Sequence, residues 1–316
     1  MSLRFSSKLL TNMFNTLIGQ KEVKSQLGFY ADLFNKGFVV PPIMLNAAKG
    51  LGKTAFATAF HHETKQSSRK FIEINCGTIR NAEQFFDQFF VPQVMGQEVT
   101  VLFDECHALP KDLTNIFLTA FNVEGAKKKM VSAAQGFMEF DFEKQIYLFA
   151  TTELHKLFDP LKDRLTIIDF KQYNERELGQ MIKRKVSWVN YDDDVINSIV
   201  SCVKGNARSA IKLALKIQDW CNQSSISRIS HAEWNKMKAH FNILPFGLTN
   251  TEVQILNALH KRGACSLQML SAITGMSRQA LQQEAENNLL RKGFMDIDGK
   301  RKITNKGTKI LEKIKA

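Results

Sequence analysis

The chain has 316 residues and a mass of 36.0 kDa, which is more than one ordinary hydrophobic core holds, so we expect two or three domains. Its 43 Lys and Arg against 31 Asp and Glu give a formal charge of +12, which favours a polyanionic partner such as nucleic acid, although a generally basic surface is equally compatible. Five cysteines without a CxxC pair argue against a disulfide framework and a zinc site, and the lack of a signal peptide or an apolar run of about 18 residues predicts a soluble, cytoplasmic protein.

The first half of the chain contains short apolar segments that are separated by enough residues for a helix. Each is four to six residues long and apolar nearly throughout, which is typical of parallel strands buried on both faces. We therefore predict an α/β domain over residues 1–171, with a parallel sheet and crossover helices. The segments are PIMLN (42–46), KFIEIN (70–75), VTVLFD (99–104), IYLFA (146–150) and TIIDF (166–170).

From Tyr173 onward the apolar spacing becomes helical, which predicts an all-α lid domain over residues 172–244. Pro245 and Gly247 then interrupt the pattern, and Thr249 or Asn250 is a plausible N-cap for the next helix. Three helical stretches are followed by two short alternating runs around Asp298-Gly299, a strong hairpin signal. Residues 245–316 are therefore predicted to form a winged helix.

The segment after the first strand, residues 47–54, reads AAKGLGKT against the phosphate-loop pattern G-x-x-x-x-G-K-[ST]. In such a loop, backbone N–H groups and the following helix N-terminus face the phosphates, the lysine reaches the β and γ oxygens, and the hydroxyl holds Mg²⁺. Ala47 at the first position is tolerable if its φ stays negative, and the alternative is a chance GKT on a glycine-rich turn. The predicted nucleotide contacts are Gly50, Leu51, Gly52, Lys53, Thr54 and Ala55.

A second element, VTVLFDECH, delivers two carboxylates to the end of a predicted strand. With the phosphate loop it is typical of a Walker B motif, in which Asp104 and Thr54 hold Mg²⁺ and Glu105 polarises the attacking water. An Asp-Glu pair could by itself be a solvated turn. The DECH tetrapeptide also occurs in DExH helicases, but these need a second RecA-like domain for which this chain has no room.

Three later segments complete an AAA+ signature. YLFATTE places Thr151 and Thr152 where a sensor 1 residue contacts the γ-phosphate or the attacking water. DPLKDRL resembles the segment that carries an arginine finger, with Arg164 reaching a neighbouring subunit's nucleotide, and KGNARSAIKLA resembles a sensor 2 helix with Arg208. Either arginine could instead be a surface charge or an ion-pair partner.

Taken together, these motifs resemble the RuvB family of Holliday-junction branch-migration motors, over almost the whole chain from Phe14 to Leu311. The resemblance implies ATP bound between subunits of a hexameric ring around duplex DNA, a RuvA-like junction-binding partner, and the cytoplasm of a prokaryotic cell or a phage-infected host. It also implies that Ile18 and Gly19 lie near the adenine and that Tyr173 stacks near the nucleoside. The segments that carry it are LIGQKEV, GLGKT, FDECHALP, FATTE, PLKDRL, YNEREL, GNAR and RKGFMDIDGKRKITNKG.

The chain departs from the family pattern in ways that suit a divergent member, such as one encoded by a phage. Ala48 and Lys49 replace two prolines of the loop, Lys162 replaces an arginine before the finger, and the Arg-Pro that usually precedes IGQ is missing. Residues 123–145 resemble the hairpin that docks the junction-binding partner, although an ordinary solvated hairpin would have a similar sequence. Its basic and apolar candidates are Lys127, Lys128, Lys129, Met130, Val131, Phe137 and Met138.

Charge is uneven in the last segment, where residues 291–316 hold nine Lys or Arg against three acids. Lys300, Arg301 and Lys302 at the hairpin tip are predicted to contact DNA phosphates without reading bases, although a charge run is often only a solvated face. The helix over residues 277–290 carries Arg278 against Glu284 and Glu286, which argues against sequence-specific reading of the major groove.

The leading hypothesis is an ATP-driven motor that translocates duplex DNA independently of sequence, as in Holliday-junction branch migration. Glu105 would orient the water, while Lys53, Mg²⁺ held by Thr54 and Asp104, Arg208 in cis and Arg164 in trans would neutralise charge. Two alternatives stay open: an AAA+ loader or initiator-type switch that places another protein on DNA, and a nucleotide-binding scaffold without turnover.

Overall fold

The computed structural model describes residues 13–64, 69–122, 126–133, 136–192 and 194–315. The opening segment MSLRFSSKLL and residues 123–125 and 134–135 of the hairpin segment lie outside the described residues. Two compact units are present: one comprises the described residues up to Tyr173 together with Asn206–Arg208, and the other comprises Asn174–Gly205 and the residues from Ser209 onward. The domain boundaries at 171/172 and 244/245 stay predictions.

All five strands expected from the apolar segments are present in one parallel sheet, in the order β2-β3-β6-β1-β7. The parallel α/β class is therefore confirmed. The strands of this sheet are β1 (Ile43–Asn46), β2 (Lys70–Asn75), β3 (Val99–Asp104), β6 (Gln145–Thr151) and β7 (Thr166–Asp169), and an antiparallel hairpin is formed by β4 (Lys128–Ala133) and β5 (Gly136–Asp141).

Both faces of the sheet are buried, which explains why its strands are apolar without alternation. Along β3, Val101 and Phe103 enter one cluster and Leu102 enters the other. The first cluster is rich in phenylalanine, with Phe103 and Phe149 stacked at 4.8 Å between ring centroids. One face is covered by α1 (Lys21–Asn35) and α2 (Lys53–Glu63), and the other by α3 (Ala82–Phe85) with its π-helical continuation Phe86–Val94, by α4 (Lys111–Ala120) and by α5 (Asp159–Lys162).

The register of the sheet brings the polar strand ends to a single edge. Asn46 at the end of β1 is paired with Thr151 at the end of β6, and Asn75 at the end of β2 is paired with Asp104 at the end of β3. The apolar residues of these strands are buried or half-buried, so the polar residues at the carboxyl edge are the ones available to a ligand.

The helical part of the second unit begins at a capping box, in which the Asn174 side chain and Glu177 cap each other's backbone. The all-α expectation holds except for one short parallel pair of two-residue strands. The elements are α6 (Glu175–Lys185), β8 (Asn190–Tyr191), α7 (Val195–Ser201), α8 (Ala207–Ser224), β9 (Arg228–Ile229) and α9 (His231–His240).

The winged helix follows, and its first helix starts at a second capping box between Thr249 and Glu252. Gly299 takes a φ of +63° in the hairpin turn, as the Asp-Gly signal predicts. A further helix at the end was not predicted. The elements are α10 (Asn250–Arg262), α11 (Leu267–Thr274), α12 (Arg278–Ala280) with a π-helical turn Leu281–Glu286 and α13 (Asn287–Lys292), β10 (Met295–Asp298), β11 (Lys300–Ile303) and α14 (Asn305–Lys315). Within the described ranges, no helix is long and apolar enough to cross a bilayer.

Candidate functional site

The loop between β1 and α2 has the backbone of a phosphate loop. Gly50 and Gly52 have φ values of +85° and +102°, a region that favours glycine, and Gly52 caps the N-terminus of α2. A Cβ on Gly50 would lie 2.8 Å from Oδ1 of Asn206, so this glycine is also required by close approach. Ala47 is not among the residues with positive φ, and its N–H donates to Thr151 O at 3.2 Å. Alanine is therefore tolerated at the first position of the loop, because its φ is not positive.

Lys53 is 9% exposed at the start of α2, and its Nζ donates to Ala47 O across the loop at 3.1 Å. Burial lowers the pKa of its ammonium, and the charge of Arg208 adds to that, while Glu105 and Asp104 act in the opposite direction. A buried ammonium facing two carboxylates has its charge only partly solvated. It is therefore suited to bind an anion that enters the loop.

Asp104 and Glu105 follow directly from the buried part of β3. Glu105 adopts the left-handed conformation, with φ 51° and ψ 46°, which is uncommon for a non-glycine residue and is concentrated at functional sites. Its N–H donates to Oδ1 of Asp104 at 3.0 Å, which stabilises the turn. Thr54, in the first turn of α2, is exposed.

The end of β6 meets the same turn. Oγ1 of Thr152 donates to Oε2 of Glu105 at 3.1 Å, so the predicted sensor 1 residue contacts the predicted catalytic glutamate. Thr151 is buried and its Oγ1 lies 2.9 Å from Nδ1 of His107, whose Nε2 lies 3.1 Å from Oε2 of Glu153. His107 was missed as a site residue, and the only signal was its place in the DECH tetrapeptide.

Tyr173 is 7% exposed, and its hydroxyl donates to Leu51 O of the phosphate loop at 2.8 Å. Ile18 and Gly19 precede Gln20, whose Oε1 accepts from the N–H of Lys171 at 3.0 Å and whose Nε2 donates to Lys171 O. Gln20 therefore ties the Ile18–Gly19 segment to the strand exit that leads to Tyr173. Sequence reasoning missed Gln20, because nothing in its spacing indicates this long-range pairing.

The two predicted arginines differ in placement. The N–H of Arg208 donates to Gly50 O at 3.2 Å, which places this residue at the phosphate loop with an exposed side chain. Arg164 instead donates from Nε to Leu118 O at 2.9 Å and from Nη1 to Pro160 O at 2.6 Å. Among the described residues, no hydrogen bond or ion pair joins Arg164 to the loop or to Glu105.

The placement expected for Arg301 is wrong. Its side chain is 13% exposed and forms a bidentate pair with Glu286, Nε to Oε1 at 2.6 Å and Nη2 to Oε2 at 3.1 Å. Arg301 thus neutralises a buried carboxylate instead of reaching outward from the hairpin tip. Lys300 is exposed, and Lys302 is 53% exposed with Asp298 at 3.3 Å. These two lysines are the ones that can face a phosphate backbone.

The prediction that residues 277–290 do not read the major groove counted Glu286 as an exposed charge, and this is also wrong. Glu286 is buried, so its charge does not belong to the outer face. The π-helical turn shifts which side chains point outward. Half of the residues exposed there are amides, and there is one charge of each sign: Ser277, Arg278, Gln279, Gln282, Gln283, Glu284, Asn287 and Leu290.

The hairpin of β4 and β5 has one buried and one exposed face. Val131 and Met138 pack into the phenylalanine-rich cluster, so the prediction that they contact a partner is wrong. Met130 and Phe137, at 57% and 73% exposure, lie on the opposite face. Exposed apolar side chains on a hairpin mark it as a docking candidate.

Two family models match the chain. Residues 43–173 match the AAA family, the ATPase family associated with various cellular activities, and residues 245–312 match the RuvB C-terminal winged helix domain. The chain therefore combines an AAA ATPase domain with a RuvB-type winged-helix domain. As an AAA-family member it is related to ATP-binding enzymes.

Relatives of similar length bear this out. The Holliday junction branch migration complex subunit RuvB of Fusobacterium nucleatum is 24% identical over 98% of this chain and 92% of its own, and that of Mycoplasma genitalium is 25% identical over 95% and 96%. The structure of the Thermotoga maritima RuvB Holliday junction branch migration motor superposes with a TM-score of 0.75 at 24% identity, covering 93% of this chain and 95% of that one. The RuvB-like fold therefore extends over nearly the whole chain.

Proposed function

We propose that this protein is an ATP-driven motor that moves duplex DNA independently of sequence, most directly in Holliday-junction branch migration. The observation that carries the proposal is the convergence of Lys53, Asp104, Glu105 and Thr152 at one edge of the sheet. They come from three places: Lys53 follows the loop after β1, Asp104 and Glu105 lie at the end of β3, and Thr152 follows β6. The ammonium of Lys53 is influenced by both carboxylates, and Thr152 donates to Glu105. The names of the relatives supply the DNA substrate class.

The roles follow from the geometry. Lys53 and the N–H groups of Gly50–Thr54 would bind the phosphates, and Glu105 would accept a proton from the attacking water while Thr152 orients it. Arg208 would contact the phosphates in cis. Arg164, which forms no hydrogen bond or ion pair with this chain's own loop among the described residues, would serve the neighbouring copy in a ring.

The residues present fit Mg²⁺. A hydroxyl and a carboxylate, from Thr54 and Asp104, are hard oxygen donors, and Mg²⁺ in nucleotide sites takes one or two such ligands and keeps several waters. Oδ1 of Asp104 accepts from the N–H of Glu105, and no hydrogen bond engages Oδ2 among the described residues. When bound, the ion would neutralise phosphate charge.

The DNA contact is proposed at the hairpin of β10 and β11, through Lys300 and Lys302. Their ammonium groups can neutralise phosphates, which carry no sequence information, and a translocating motor requires such contacts. A junction-binding partner similar to RuvA is proposed to dock on Met130 and Phe137, because these apolar side chains lie on the exposed face of the hairpin.

The test is ATP turnover with a synthetic four-way junction, with duplex and without DNA, at about 50 and 200 mM salt. We expect stimulation by DNA that weakens with salt, and ATP-dependent conversion of the junction into two duplexes, with Lys53→Ala as the inactive control. Turnover that is indifferent to DNA would contradict the motor. ATP-dependent recruitment of another protein to DNA without junction conversion would favour a loader.

A further inference from the structure

His107 lies at the centre of a polar cluster beside the proposed catalytic glutamate. It belongs to a short 3-10 turn (Cys106–Ala108) that directly follows Glu105, and its side chain is 16% exposed. Nδ1 lies 2.9 Å from Oγ1 of Thr151 and 3.5 Å from Oε2 of Glu105, and Nε2 lies 3.1 Å from Oε2 of Glu153. The imidazole therefore bridges the turn after β3 to the segment after β6.

The neighbouring donors and acceptors select one arrangement of protons. The Glu153 carboxylate beside Nε2 can only accept, so in the neutral ring Nδ1 is left as the acceptor for the hydroxyl of Thr151, whose Oγ1 also accepts the N–H of Glu153 at 3.0 Å. The proton of the neutral ring then resides on Nε2, which donates to the Glu153 carboxylate. In this tautomer Nδ1 has no proton for Glu105, whose Oε2 receives the hydroxyl of Thr152 instead.

This arrangement bears on the orientation of Glu105. Its backbone is in the left-handed region, which persists only where surrounding contacts over-determine it. Oε2 is held by Thr152, and no hydrogen bond engages Oε1 among the described residues. Thr152 is in turn adjacent to Thr151, whose hydroxyl lies against His107. Displacing the imidazole would remove the side-chain link between the end of β6 and the turn that carries Glu105.

We propose that His107 is a positioning residue for ATP hydrolysis, which locks the end of β6 against the turn after β3 so that Glu105 presents Oε1 to the attacking water. The inference rests on the proposed ATPase function and deepens it. His107 does not touch the substrate, so its removal should slow the chemical step without weakening nucleotide binding.

The experiment measures kcat and KM for ATP, the affinity for a fluorescent ATP analogue, and thermal stability. For His107→Ala we expect kcat to fall about tenfold, the rate factor that one well-oriented hydrogen bond supplies, with KM and analogue affinity within about twofold of wild type. His107→Asn, whose amide oxygen can still accept from Thr151, should restore part of the loss. His155→Ala, an exposed histidine nearby, is the matched control and should leave kcat unchanged.

A second variant separates positioning from a merely structural role. Thr151→Val keeps the branched shape but removes the hydroxyl that links the strand end to His107, so its effect on kcat should equal that of His107→Ala and not add to it in the double variant. Additive losses, a wild-type kcat in His107→Ala, or a raised KM with unchanged kcat would overturn the inference. If His107→Ala does not fold, kcat and KM of His107→Asn and Thr151→Val test the positioning role by the same criteria.

These outcomes are distinguishable from failure of the proposed function. An inactive wild-type protein, or a Lys53→Ala variant as active as wild type, would contradict the proposed ATPase activity. An active wild type whose turnover depends on Lys53 but not on His107 would contradict only the positioning role of His107.

Discussion

The carboxylates of the nucleotide site differ from the two buried carboxylates of the winged helix, Glu252 and Glu286, in how completely the chain pairs them. Glu286 is 4% exposed at its side chain and accepts from Nε and Nη2 of Arg301, while Glu252 is fully buried and accepts from Lys204, Asn288 and Thr249. Glu105 has a side chain 37% exposed, a left-handed backbone and a single oxygen engaged by Thr152.

The difference indicates where each region can act. A carboxylate whose oxygens are all satisfied by its own chain fixes the fold and has nothing left to offer a ligand. Asp104 and Glu105 each keep an oxygen without a hydrogen bond among the described residues, next to a buried ammonium. Incomplete pairing therefore marks the nucleotide site, and complete pairing marks the scaffold of the winged helix.

The largest expected effect is on turnover. Lys53→Ala should abolish measurable ATP hydrolysis, because it removes the buried ammonium of the phosphate loop.

Glu105→Gln should lower kcat by about 10²–10⁴-fold while ATP still binds, since the amide cannot take a proton. Normal turnover in either variant would show that incomplete pairing does not mark the active site here.

A large effect of another kind is expected in the winged helix. Arg301→Ala should lower the free energy of unfolding by about 3–5 kcal/mol, because it leaves the buried Glu286 carboxylate unpaired. Urea denaturation measures this, and Arg301→Met with Glu286→Leu should recover much of the stability. A fully stable Arg301→Ala that has lost DNA affinity would instead restore the outward role expected from the sequence.

A smaller effect is expected for the outer face of the hairpin. Replacing Lys300 and Lys302 by alanine should weaken binding to all duplex sequences alike and reduce the slope of log K against log salt by about 2, with stability unchanged. Lys313→Ala, in α14 and outside the hairpin, is the charge-matched control. A loss confined to some sequences would point to the amide-rich face of residues 278–287.

The sequence predicts the sheet well because both of its faces are buried, so that five apolar runs stand out from their surroundings. The loop glycines are also predictable, since positive φ and close approach leave few other residues possible. Charges in the winged helix were misassigned for a physical reason: a charge run does not tell which side chain folds inward, and the Arg301–Glu286 pair becomes visible only when the hairpin and helix are placed.

The same limit explains the other differences. Val131 and Met138 alternate with Met130 and Phe137, and only the register with the underlying cluster decides which pair is buried. His107 and Gln20 act through partners far along the chain, for which local spacing gives no signal.

We propose that each nucleotide site is completed by Arg164 of a neighbouring copy. The most direct test is ATP turnover by an equimolar mixture of Lys53→Ala and Arg164→Ala, each inactive alone. Random assembly gives about a quarter of the interfaces an intact loop and an intact arginine, so we expect turnover well above that of either variant. A mixture no more active than its components, or an Arg164→Ala variant with normal turnover by itself, would contradict the claim.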